Sequence, residues 1–191
     1  MTSSGGDPSP MRGLILYGPP AAGKDTITEA LHTLDSTCVL FPRLKVGGGI
    51  TTGYRMTDVA AVSTLHADDN VIWANHRYGS LYVIDRPTLT RRLRHHIPVL
   101  HLGQPEAIAA VVAATPDTHW LVVSLWCPRH AAERRLRARP TGDTAERLRA
   151  WDETPPLHAG VPTLNTTECS PSGAARRIHR LLTAGPATSG D

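Results

Sequence analysis

The residues best suited to chemistry lie near the start of the chain, in Gly18-Pro19-Pro20-Ala21-Ala22-Gly23-Lys24-Asp25-Thr26. An apolar run at 13–17 precedes them, and a helical pattern follows. Strand, glycine-bearing loop, lysine and helix, in that order, predict a phosphate cradle. Gly18 and Gly23 let the backbone curl, so that the N–H groups of Ala21, Ala22 and the helix start converge on phosphate oxygens. Lys24 then reaches the β/γ-phosphates as a point charge. A glycine-containing turn of an ordinary α/β protein would share the glycines; the flanking strand and helix favour the cradle. Asp25 stands where Ser or Thr usually ligates Mg²⁺, with Thr26 beside it. Carboxylate and water are ligands Mg²⁺ prefers. An acid here also complements the positive end of a helix, so both roles stay open.

Phosphoryl transfer needs cations that close over the moving group. Arg139 stands at a helix end before the break Pro140-Thr141-Gly142, and Arg147 lies in the helical pattern beyond it. Arg134, Arg135 and Arg137 read instead as a solvated helix face. His101 ends an apolar strand, at the sheet edge where open α/β sheets bind ligands. It reads as an acceptor contact or as a satisfied core histidine. No acid occurs from Val99 to Gly103, which leaves Asp25 as the candidate metal ligand. Tyr54 and Tyr78 read, by residue type alone, as half-buried aromatics with their hydroxyls in water.

These groups need a scaffold, and the hydrophobic pattern supplies one. Strands are predicted at 13–17, 38–41, 71–74, 80–84, 97–102, 120–126 and 161–165. Helices are predicted at 24–34, 58–66, 88–95, 105–114, 129–139, 144–151 and 172–182. Alternation of the two implies an α/β fold of three layers, a parallel sheet between helices. Residues 11–183 form one domain, with 41–85 a small inserted subdomain and 139–146 a short lid. The Ser/Gly/Pro-rich ends, 1–10 and 184–191, read as disordered tails.

Composition narrows the class. The 191 residues are 40% hydrophobic and 19% charged, with a net charge of +3, ordinary for a soluble globular domain. The arginines are scattered, which suits phosphorylated small molecules and does not point to nucleic acid. No apolar run is long enough to span a membrane, and none is expected as a partner. Cys38, Cys127 and Cys169 match no metal or redox spacing and fit a reducing cytoplasm.

The chain resembles the guanylate kinase family from about Arg12 to Leu182, and within it the ribose 1,5-bisphosphate kinase branch. The loop ending Gly23-Lys24-Asp25-Thr26 is similar to that branch. Tyr54 in Gly53-Tyr54-Arg55-Met56 and Tyr78-Gly79-Ser80 match family positions that hold the acceptor's phosphate. Arg43 and Lys45 fall where the family places arginines on the same phosphate. Arg139 and Arg147 match its two catalytic arginines, and Asn165 matches an asparagine near the donor adenine. The resemblance implies a P-loop kinase fold using ATP and Mg²⁺ on a phosphorylated small molecule, with a homodimer left open. It implies an acceptor other than GMP, because Ile72 and Gly103 stand where guanine-reading carboxylates would be. A kinase of an unphosphorylated hydroxyl and a non-catalytic binding module are the rival readings.

Overall fold

The fold, described by a computed structural model over residues 11–138 and 142–184, builds outward from β1 (Met11–Tyr17). Alternation along β1 sends Leu14 and Leu16 to one face of a sheet and Ile15 to the other, all three fully buried. The first face packs on α1 (Lys24–Leu34) and α7 (Pro171–Thr183) through Ile27, Leu31, Ile178 and Leu182. The second packs on α3 (Arg86–His95) and α4 (Pro105–Ala114) through Leu89, Leu93, Ala107 and Val111. Fully burying a side chain such as Leu31 contributes about 2 kcal/mol, so β1 is anchored from both sides.

β1 is the centre of a five-stranded parallel sheet in the order β2-β7-β1-β8-β9. Its partners are β7 (Ile97–Leu102) and β8 (Thr118–Trp126), with β2 (Cys38–Leu40) and β9 (Thr163–Asn165) at the edges. Trp126, the last residue of β8, is 42% exposed, next to an edge strand of three residues. Seven helices, including α2 (Val59–Ala67), α5 (Arg129–Arg137) and α6 (Thr144–Glu153), accompany the sheet among the described residues.

A second sheet, in the order β4-β3-β6-β5, is formed by β3 (Leu44–Val46), β4 (Arg55–Met56), β5 (Val71–Arg77) and β6 (Ser80–Asp85). Ile84 of β6 and Trp73 of β5 join the α3/α4 core, which ties this sheet to the main one. The sequence reading placed a five-residue turn at 75–79. The strands instead run on to Arg77 and Ser80, joined by Tyr78 and Gly79 with φ of 53° and 65°. Positive φ at both positions is the two-residue turn that matches strand twist. No predicted strand covers β3, whose three residues are too few to show a strand period. The three cysteines are free thiols, and burial pushes Cys38 up to about 12.

Candidate active site

Tyr17 ends β1, and its hydroxyl donates to the Pro155 carbonyl at 2.6 Å, fixing the chain that leaves α6. The loop then turns under strong backbone constraint. Gly18 has φ 149°, and a Cβ there would lie 2.1 Å from the Leu125 carbonyl oxygen, so only glycine fits. Gly23, at φ 92°, precedes α1 without any side-chain cap on the helix. The first N–H groups of α1 therefore point at whatever fills the loop. Lys24 Nζ curls back to the Gly18 and Pro19 carbonyls at 2.5 and 2.8 Å. Asp25, whose side chain is 72% exposed, faces His101 of β7, with Oδ1 at 3.5 Å from Nδ1.

The His101 ring is oriented by a chain of bonds. Thr28 Oγ1 donates to the Lys24 carbonyl at 2.9 Å and so accepts the Nε2–H of His101 at 2.7 Å. Burial lowers the His101 pKa, against the opposing pull of Asp25, and keeps the ring neutral. Its Nδ1 faces the Asp25 carboxylate.

Both glycines, Lys24 and Asp25 open into one cleft of about 930 Å³, counting its mouth. It lies at the carboxyl ends of β1 and β7, the usual place for ligands of open parallel sheets. The opposite wall comes from the second sheet. Cross-strand register sets Lys45 of β3 and Asn75 of β5 beside Tyr82 of β6, one row on one face. The Arg43 guanidinium lies 5.0 Å from the Tyr82 ring centroid and 5.9 Å from that of Tyr54. The two rings are 5.3 Å apart. Burial raises the pKa of Tyr82, as it does that of Tyr78. Both phenols therefore stay protonated and able to donate. From α6, Arg147 reaches over the Tyr78 ring and ion-pairs with Asp143 at 2.8 Å. One wall of the cleft thus suits a nucleotide's phosphates, and the other carries cations and phenols.

No protein-family model matches the chain, and no curated protein matches it in sequence. Among solved structures, a guanylate kinase from Anaplasma phagocytophilum is similar with a TM-score of 0.61 at 14% identity, covering 95% of this chain and 89% of that one. A sugar kinase from Janibacter sp. HTCC2649 is similar with a TM-score of 0.54 at 14% identity, covering 95% and 100%. The chain has the P-loop kinase fold. At this identity the likeness is one of fold, and the residues must be judged in place.

Gly18, Ala21, Ala22, Gly23, Lys24, Asp25, Arg43, Tyr54, Tyr78, His101 and Arg147 all line the cleft. Four other candidates do not line it. Thr26 is exposed outside it. Lys45 is buried, and its amine donates to the carbonyls of Gly48 and Ile50, bracing the glycine loop. Ser80 is buried against Gly47, where a Cβ would meet its Oγ at 2.6 Å. Asn165 spends its carboxamide on its own turn, donating to Glu168 and accepting from Thr167. Arg139 lies outside the described residues.

Arg135 corrects the reading of α5 as a wholly solvated basic face. It donates to the Ala21 carbonyl at 2.9 Å, to Thr166 Oγ1 at 3.0 Å and to the Thr166 carbonyl at 3.0 Å. The P-loop is thereby clamped to the turn after β9. Arg134 and Arg137 are exposed as expected. Tyr82, Asn75, Arg77 and Gln104 were missed altogether. Period-2 spacing from Ser80 to Tyr82 and from Trp73 to Asn75 was the available signal.

Proposed function

We propose that this protein is a kinase that moves the γ-phosphoryl group of ATP onto a small molecule already carrying a phosphate, of the phosphosugar class and other than GMP. One observation carries the reading: a single cleft pairs the P-loop and Lys24 with a facing cluster of Arg43, Tyr54, Tyr78, Tyr82 and Arg147. A scaffold needs neither half, and a kinase of an unphosphorylated alcohol has no use for the second. The names of the two similar structures, a guanylate kinase and a sugar kinase, agree with phosphoryl transfer. The resemblance to ribose 1,5-bisphosphate kinases rests on Asp25 after the lysine and on the absent guanine-reading acids.

In this mechanism the α1 N–H groups and Lys24 hold the β- and γ-phosphates. Arg43 and the phenols of Tyr54 and Tyr82 hold the acceptor's own phosphate. Arg147 stabilises charge on the moving group, and positioning supplies most of the rate. Asp25 fits a Mg²⁺ ligand, being the one carboxylate among the described lining residues. When bound, Mg²⁺ neutralises charge on the phosphate oxygens.

The test is ADP release from Mg²⁺-ATP across a panel of phosphosugars and GMP, for wild type and Lys24→Ala. At least one phosphosugar should drive release well above background, with GMP far behind and the variant nearly inactive. Full turnover by a correctly folded Lys24→Ala protein would remove the kinase reading. Efficient use of GMP would remove the acceptor class.

A further inference from the structure

Two uncharged side chains meet inside the cleft where the two sheets approach. Asn75 of β5 and Gln104, which precedes α4, both line it, and Asn75 Nδ2 donates to Gln104 Oε1 at 3.0 Å. Asn75 Oδ1 is buried and has no hydrogen-bond partner. Gln104 occupies the N-cap position of α4, yet its side chain does not cap the helix. Beyond this mutual bond neither carboxamide makes another hydrogen bond among the described residues, and a buried carbonyl without a partner is a position that a ligand can satisfy. Register sets Asn75 directly beside Tyr82, hence next to the cluster of Arg43 and Tyr54.

We propose that Asn75 and Gln104 are specificity-determining residues that bind a hydroxyl of the acceptor, making the substrate a phosphorylated polyol or sugar. This rests on the reading that Arg43 and the tyrosines hold the acceptor's phosphate. The paired amides leave an acceptor at one end and a donor at the other. Turning both amides over keeps their mutual bond and only exchanges the two ends. A hydroxyl donates and accepts, so it satisfies the pair in either arrangement. A carboxylate or an ammonium satisfies only one end. A guanine edge, which presents several donors, meets at most one acceptor here.

Calorimetric titration of the full chain, saturated with Mg²⁺ and a non-hydrolysable ATP analogue, tests this. The probes are methyl phosphate, ribose 5-phosphate, glucose 6-phosphate and GMP, against wild type, Asn75→Leu and Gln104→Leu. At least one sugar phosphate should bind wild type roughly ten-fold tighter than methyl phosphate, and GMP should show no such gain. In either variant that ratio should fall to about two or less. Gln104→Leu, at a helix start, carries the test if the strand variant does not fold. A sugar preference that survives in the variants, or none in wild type, overturns the role of the pair while leaving the phosphate site standing. Failure of every phosphate-bearing probe to bind overturns both readings together.

Discussion

Arg147 holds its guanidinium 4.5 Å from the ring centroid of Tyr78, across the mouth of the cleft. Tyr78 sits at the tip of the β5–β6 turn with its N–H donated to Glu146 Oε1 at 2.9 Å. Arg77 and Glu153 add an exposed ion pair at 3.1 Å, worth little alone. The helix that carries Arg147 and the hairpin that carries the acceptor wall are therefore joined at neighbouring residues. Whatever places one places the other.

Arg147→Lys keeps a charge but loses the planar group that stacks on Tyr78 and forks to phosphate. Steady-state kinetics should show kcat reduced at least about 100-fold, with the thermal midpoint little changed. A kcat within about three-fold of wild type would take Arg147 out of the transition state.

Arg135→Ala removes three bonds between α5, the P-loop and the turn after β9. Loss of these charge-assisted bonds should cost about 2 kcal/mol of stability by denaturant titration. The KM for ATP should also rise, by about ten-fold, as the loop loses its preset shape. Loss of stability with an unaltered KM would make the clamp purely structural.

Asp25 is separable from a helix-end charge by Mg²⁺ titration. Asp25→Asn should lower rate and raise the Mg²⁺ needed for half-saturation together, and Asp25→Ser should be milder, because a hydroxyl is the usual ligand here. A residue serving only the helix dipole would cost at most about 1 kcal/mol of stability and leave the Mg²⁺ dependence alone. The shape of the titration curve decides between them.

Asp35 joins the end of α1 to α7. Its carboxylate accepts from Thr37 N at 2.9 Å and Thr37 Oγ1 at 2.6 Å, and lies 3.1 Å from His179 Nε2. The Thr37 hydroxyl above all holds its pKa below the usual value, against burial, with Thr37 N and His179 assisting. A lowered folded pKa means that the unfolded chain takes up protons first, so stability is lost as pH falls. Asp35→Ala should therefore cost about 1–2 kcal/mol near neutrality, a deficit that shrinks as pH drops below about 4. Chemical denaturation at several pH values reads it, and a deficit constant down to the lowest pH would refute the carboxylate's role.

The contiguous parts of this protein were determined by sequence alone. Gly18, Gly23 and Lys24 make their cradle within a few residues of backbone, so strand, loop and helix could be read together. The same holds for the alternation of strands and helices, because the two hydrophobic periods are local. Tertiary structure decided the acceptor wall. Asn75 and Tyr82 stand side by side on it only because β5 and β6 pair in one register, with Trp73 and Ile84 packed into the α3/α4 core. It decided between neighbours as well, turning Arg135 inward to the P-loop while Arg134 and Arg137 face water. Charge alone does not distinguish those arginines; what differs is the carbonyl that folding brings within reach. Asn75 on β5 and Gln104, between β7 and α4, meet for the same reason, and no spacing along the chain announces such a pair.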